Sequence, residues 1–436
     1  MAPHPSVILF MYGSDVNPIP RAEENYLKVF RDEHWANPIV ASAANDTSAI
    51  SGPTGVKMSG PYAWVPPRYW LEGAEKRLLG GAFGFLTEGG PGAAVMPFES
   101  MLKVAPEAEL QDPATSKVVN FHTGNPAGLF YDLRFYNRPL EQRYGAARTT
   151  RDYFDKAQLA AYEAQRSFFE GYSARKYQAT GVIQWMLNSA WPSNYWNLFD
   201  FFLNAGGGFY GAKKGCEALH PTYSFVDGGV SVVSSRYSAA NVTVTASLHH
   251  PAGAELWNAT VRAAIGPDSV SDTVVTPPAM ATPALLRLRL WEGEAAGAAV
   301  SDQVYWVPVE DDKLDWDNST FYITYCSRYA DHSYLEQIPA PALRATALLQ
   351  DPEHVRVLLT AAGATLAFFT RLRLVSAAGD DVLPAEWEDN YVSVFPGETR
   401  VVTVRVEEVP TGASVVVRAW NGEDVRVVVE SSLQLV

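Results

Sequence analysis

Two acidic residues in this sequence each close an apolar run. Ser6–Tyr12 (SVILFMY) leads into Gly13-Ser14-Asp15, and the stretch GAFGFLTE ends on Glu88. Both then enter loops holding Gly or Pro, Val16-Asn17-Pro18 and Gly89-Gly90-Pro91. An apolar run that stops at turn residues reads as a strand buried on both faces. Each acid therefore stands at the C-terminal end of a strand, where barrel enzymes carry their reactive groups. Two converging carboxyls can divide labour: one gives and retakes a proton while the other attacks carbon. Hydrolysis of a glycosidic bond with retention needs that pair, with the groups roughly 5–5.5 Å apart. The competing reading is that each acid caps the next helix, which the residues alone leave open.

Aromatic residues gather near the same strand ends. Tyr62, Trp64, Tyr69 and Trp70 follow a third apolar stretch, and Trp185, Trp191, Tyr195 and Trp196 surround a later one. An indole or phenol offers a flat apolar face with a polar tip, which suits a sugar ring. Tyr62, Trp185 and Trp191 are the substrate-binding candidates, although aromatic enrichment also builds cores. His122 (VVNFHTGN) reads as a structural loop histidine, and Asp112, Asp155 and Glu163 read as solvated surface. No His, Cys and acid spacing suits a metal, so no metal and no cofactor are expected. Gly206-Gly207-Gly208 lacks both the Lys-[ST] of a phosphate loop and a dinucleotide fingerprint, and reads as a turn.

The elements that would position these groups alternate between strand and helix up to about residue 215. Pro20 opens a helix with Tyr26, Val29 and Phe30 on one face. Pro38–Ser42, Val56–Ser59, Phe83–Thr87 and Gly181–Leu187 read as the second to fifth strands. Phe154, Ala157, Ala161, Ala164 and Phe168 repeat at helical spacing. From Tyr223 onward the pattern becomes β-rich: Val230–Val233, Val242–Ala246, Leu285–Leu290, Val304–Val307, then Val355–Thr360, Phe368–Leu374, Tyr391–Phe395, Val401–Val406 and Val415–Ala419. Short strands separated by turn residues predict two antiparallel sandwiches. The polar stretch Asp331–Pro341 reads as the boundary between them.

Bulk properties exclude several classes. A net charge of −14 argues against nucleic acid, which binds through clustered Lys and Arg. It is compatible with a cationic substrate. No run approaches the roughly 18 apolar residues of a membrane span. Cys216 and Cys326 form no metal framework, and their pairing cannot be read from sequence. Glycosylation sequons stand at Asn45, Asn241, Asn258 and Asn318, yet residues 1–6 do not open a signal peptide.

Taken in order, HPSVILFMYGSD, SGPTGVKMSGPYAWVPPRYW, GGAFGFLTEGGPG, GVIQWMLNSAWPSNYWNLFDFFLNAGGGFYGAKKG and DNYVSVFPGETR resemble glycoside hydrolase family 2, and within it the exo-β-glucosaminidase branch. The resemblance implies that Asp15 is the acid/base and Glu88 the nucleophile, with Ser14-Asp15 standing where many members carry Asn-Glu. It also implies that Trp185 lines the sugar subsite. The implied fold is α/β plus all-β: residues 1–215 as strands four to eight of a (β/α)8 TIM barrel, then immunoglobulin-like sandwiches at 216–330 and 331–436. The implied activity is release of glucosamine from chitosan oligosaccharides. Another family 2 glycosidase such as a β-mannosidase, or an inactive carbohydrate-binding fragment, are the alternatives. If Asp15 ends the fourth strand, three strands precede Met1, and the chain's partner is the N-terminal part of the same protein. That placement would also reconcile sequons with a secreted, extracellular location.

Overall fold

The computed structural model describes residues 4, 6–58, 60–72, 80–123, 129–320 and 322–431. Strand β1 (Phe10–Met11) is followed by α1 (Pro20–Asp32) and β2 (Ile39–Val40), which pairs parallel to β1. The apolar run Ser6–Tyr12 is thus only partly strand, and it is not buried on both faces: Ile8 is 74% exposed. Among the described residues β1 pairs along one edge alone, which leaves its other side without cover. A small hairpin, β3 (Thr47–Ser48) and β4 (Gly52–Pro53), follows. Lys57 then bridges in parallel to Leu86. Ser59, the last residue of the expected third strand, lies outside the described residues.

Helix α2 (Tyr69–Glu72) precedes β5 (Gly84–Gly89), the strand that ends on the Glu88 loop. The chain then runs through α3 (Phe98–Val104), α4 (Lys117–Phe121), α5 (Arg134–Tyr144) and the long α6 (Thr150–Ser173). Thr149 caps α6 by accepting from the Asp152 amide at 3.1 Å, which satisfies one of its free N–H groups. Strand β6 (Ala179–Gln184) returns parallel to β5. Parallel strands joined through helices are what the alternating pattern predicts.

Helix α7 (Gly207–Gly215) corrects the reading of Gly206–Gly208 as a turn. These glycines open a helix because α7 lies close on α6. A Cβ at Gly207 would come 2.2 Å from the Gln158 carbonyl oxygen, and one at Gly211 2.1 Å from that of Tyr162. Only glycine permits that approach.

The β-rich remainder has two parts. Strands β7 (Leu219–Tyr223) and β8 (Val230–Ser234) pair with each other, and β8 bridges to Val270 and Val275. Opposite them lies a sheet of β9 (Ala240–His249), β10 (Glu255–Ile265), β11 (Ala284–Glu292) and β12 (Ser301–Val307), ordered β10-β9-β11-β12. Then come a hairpin of β13 (Lys313–Asp315) and β14 (Tyr325–Arg328), a 3-10 turn at Ser333–Gln337, and eight more strands. These are β15 (Leu343–Asp351), β16 (His354–Ala361), β17 (Ala367–Val375), β18 (Glu386–Trp387), β19 (Val392–Val394), β20 (Thr399–Arg405), β21 (Ser414–Arg418) and β22 (Val425–Ser431). They run in the order β18-β20-β16-β15-β22-β21-β17-β19, with β15 and β22 parallel and Val355, Val357, Phe368 and Val415 buried among them.

The joint where α5 and α6 meet the segments after β12 and β14 buries charged groups. Arg143 donates to Glu163 at 2.5 Å and lies 3.3 Å from Asp312, while its second nitrogen meets His332 at 3.0 Å. Glu163 was expected at the surface, but it is 1% exposed, because α6 is enclosed by the later strands. Asp155 likewise faces Arg418 at 3.5 Å, while Asp112 is exposed as expected. The stretch Asp331–Pro341 packs on this joint: the His332 amide donates to the Arg143 carbonyl, and the Leu335 side chain is buried. Cys216 and Cys326 are both free. No helix among the described residues is long and apolar enough to cross a membrane.

Candidate active site

Glu88 stands at the C-terminal end of β5, half-buried, and accepts a hydrogen bond from the Tyr62 hydroxyl at 2.7 Å. Burial raises the Glu88 carboxyl above its ordinary value, the Tyr62 hydrogen bond works against this, and the charge of Asp15 adds to the rise. Burial likewise raises the Tyr62 phenol, followed by its bond to Glu88 and the charges of Glu88 and Asp15. The two acids are therefore close enough for each to be felt at one tyrosine. Asp15 itself is exposed on the loop after β1. That loop is tied down by Asn17, which accepts from Ser42 at 2.8 Å and donates to Asp46 at 3.0 Å. Thr87 beside Glu88 donates to the Ala43 carbonyl at 2.8 Å, fastening the β5 end to the segment after β2.

Tyr62 is held by a second set of aromatics. The Trp196 indole donates to the Tyr62 carbonyl at 2.8 Å, and the rings of Trp196 and Phe130 lie 6.2 and 6.4 Å from that of Tyr62. Trp185 follows β6 directly, 40% exposed, with its amide donating to the Gly89 carbonyl one residue beyond Glu88. Trp191 is 39% exposed and stacks on His122 at 4.7 Å, with Phe121 edge-on at 5.6 Å. His122 is fixed by its ring nitrogen on the Pro192 carbonyl at 2.6 Å, a loop-building role. Trp64, Tyr69 and Trp70 are core residues, each at most 5% exposed. Of the two aromatic clusters in the sequence, then, Tyr62 bonds Glu88, Trp185 is joined to the next residue, Gly89, and Trp191 packs with His122 and Phe121.

Among the described residues no group of three or more His, Cys, Asp or Glu could hold a metal. Two carboxyls, a phenol bonded to one of them and exposed indoles can support acid/base and nucleophilic chemistry on a sugar.

Sequence reasoning missed one element. Tyr322, between β13 and β14, lies with its ring 6.5 Å from that of Tyr62. It stands 234 residues after Glu88 (322 − 88), and no periodicity or motif points to it.

Comparison with known proteins finds similarity to exo-β-D-glucosaminidases. The profile of the exo-β-D-glucosaminidase Ig-fold domain matches residues 321–422. An exo-β-D-glucosaminidase of Streptomyces avermitilis is 36% identical over 96% of this chain and 48% of its own length. One from Hypocrea jecorina is 36% identical over 91% of this chain and 46% of its own. The crystal structure of an exo-chitosanase from Amycolatopsis orientalis superposes with a TM-score of 0.90 at 33% identity, over 98% of this chain and 52% of that one. The same exo-chitosanase has been seen in complex with PNP-β-D-glucosamine. Over almost its whole length the chain is thus similar to exo-β-D-glucosaminidases. It spans about half the length of the curated relatives it matches.

Proposed function

We propose that this chain carries the catalytic carboxyl pair of a retaining exo-β-D-glucosaminidase that releases glucosamine from chitosan oligosaccharides. The observation that carries the reading is the Tyr62–Glu88 hydrogen bond, with the Asp15 charge felt at both groups. Glu88 attacks the anomeric carbon while Asp15 gives its proton to the leaving oxygen. Asp15 then takes a proton from the water that releases the sugar. Trp185, Tyr62 and Trp191 offer flat faces to the substrate. The relatives' printed activities support glucosamine over mannose.

The layout proposed is strands four to eight of a (β/α)8 barrel over 1–215, with immunoglobulin-like domains at 216–330 and 331–436. The parallel pairing of β1 with β2 and of β5 with β6 supports the first part. The partner proposed is the polypeptide that completes the barrel beside β1. Exposed Ile8, Val16 and Ile19 there support it. The four sequon asparagines are all exposed, which supports a secreted protein.

The test is release of p-nitrophenol from PNP-β-D-glucosamine and from the matching β-mannoside. It uses the intact gene product, with whatever the gene encodes ahead of Met1. Glucosaminide turnover that Glu88→Gln abolishes is expected, with little turnover by residues 1–436 alone. Full activity in Glu88→Gln would remove Glu88 from the nucleophile role, and preference for the mannoside would favour the alternative substrate.

A further inference from the structure

The loop that carries Tyr322 comes from outside the strands that carry Asp15 and Glu88. It joins β13 to β14, and the matched Ig-fold stretch begins at residue 321. Two kinds of contact hold it against the catalytic rim.

The first kind is docking. Trp316 stacks on Tyr69 at 5.5 Å with the planes 28° apart, and Tyr329 lies 6.2 Å from Trp64. Arg68 reaches Asp311 at 3.3 Å, just before β13. Trp64, Arg68 and Tyr69 belong to the segment that follows Tyr62, so the hairpin and the Tyr62 loop form one packed unit. Leu314, Ile323 and Cys326 are buried beneath it. The second kind is internal. Asp315 accepts from the Asn318 side chain at 2.7 Å, Ser319 donates to the Asp315 carbonyl at 2.6 Å, and the Tyr325 amide donates to Ser319 at 3.0 Å. A loop braced in this way presents its side chains in a defined place.

What it presents is Tyr322. Both its neighbours in space and its exposure are informative. The ring is 45% exposed and tilted 39° to Tyr62, whose hydroxyl is bound to Glu88. Tyr322 thus meets the residue that bonds Glu88 while much of its own surface stays open. Tyr69 and Trp70, by contrast, are turned fully inward.

We propose that Tyr322 forms a wall of the sugar-binding cleft, so that the β13–β14 hairpin of the C-terminal half takes part in substrate selection. The proposal rests on the glycosidase reading above. The ring contributes flat apolar surface to a pyranose. Specificity thereby comes from a part of the chain far from the acids in sequence.

The experiment is steady-state hydrolysis of PNP-β-D-glucosamine and of the glucosamine dimer by the intact gene product. Tyr322→Ala is expected to raise KM about tenfold, a loss of about 1.4 kcal/mol, with kcat changed less than threefold. Tyr322→Phe keeps the ring and should recover most of the affinity. Tyr322→Leu serves as the second variant if the alanine form folds poorly, and circular dichroism checks the fold of each. Trp316→Ala should raise KM as Tyr322→Ala does, by loosening the loop. KM within twofold of wild type in Tyr322→Ala and Tyr322→Leu would overturn the proposal. So would a fall in kcat with a displaced acid limb of the pH profile, since Tyr322 would then act on Glu88 through Tyr62. Glu88→Gln separates the two levels. If wild type turns over and Glu88→Gln does not, the glycosidase reading stands whatever Tyr322 does. If wild type neither hydrolyses nor binds glucosamine, that reading fails and the role of Tyr322 fails with it.

Discussion

Helices α1 and α6 both follow the pattern of an amphipathic helix, yet they end in opposite situations. Of the 24 residues of α6, 18 are buried; of the 13 of α1, only Glu23 is. α1 touches the strands through Phe30, whose ring lies 5.1 Å from Phe10, and through Tyr26, 5.5 Å from Tyr12. Val29 stays 57% exposed, and so does much of Tyr26. Its one buried side chain is a carboxylate held by Tyr12, Ser48 and Ser51. In α6 even the charged residues are enclosed: Lys156 donates to the Gly145 and Ala146 carbonyls, and Arg166 lies 3.9 Å over the Tyr305 ring. The contrast teaches that an apolar face is only half of a packing statement. α6 has a neighbour on every side, whereas α1 shows apolar surface of the kind that marks an interface.

Three changes would break or sharpen this contrast. The largest effect is expected at the α5–α6 joint. Arg143→Met leaves Glu163 and Asp312 buried without their cation, which costs about 3–5 kcal/mol. Urea unfolding should show a clearly lower midpoint, and an unchanged midpoint would mean the joint is not what holds α6. The next concerns pH. Burial pushes Glu170 up to about 7, against the opposing effect of Arg166 and the Tyr305 hydroxyl, which donates to it at 2.6 Å. The folded chain thus keeps a proton that the unfolded chain releases above about 4.5. Its contribution is present in full below that value and is lost as pH rises through about 7, a span worth about 3 kcal/mol. Asp311, also pushed up to about 7 by burial, acts with the same sign. Glu170→Gln should therefore flatten the decline of the urea midpoint between pH 5 and pH 8, and an unaltered decline would assign it elsewhere. The smallest effect belongs to α1. Val29→Lys should shift the stability of residues 1–436 by less than about 0.5 kcal/mol, because the side chain is already in water. A large loss would show that α1 is covered in solution by another copy of the chain.

Much of this organisation is legible in the sequence, and the exceptions have physical causes. Glu88 and Tyr62, both singled out from the sequence, share a hydrogen bond. Strands β8, β9, β11, β16, β17 and β20 lie where alternating or continuous β-branched runs predict them. Strand β10 (ELWNATVRAAI) was passed over although its burial alternates residue by residue, because Ala and Asn dilute the signal. β15 and β22 were missed as well: Arg344 and Thr346 break the first run, and Arg426 parts Val425 from Val427 in the second. Glu163 was misread because a charged residue in a helix looks solvated until its partners are known, and those partners, Arg143 and His332, lie on separate elements. Tyr322 could not be found at all, since contacts between distant segments, such as Trp316 on Tyr69, bring its ring near that of Tyr62.

The joint around Arg143 also has a consequence in time. Arg143 and His332 are 189 positions apart. At synthesis rates of roughly 5–20 residues per second, about 10–40 s separate their emergence from the ribosome. Throughout that interval Arg143, Glu163 and Arg166, with Tyr144 and Tyr162 beside them, lack the later strands that enclose them in the finished fold. The first half of the chain is thus made with a seam, part charged and part aromatic, that the second half seals.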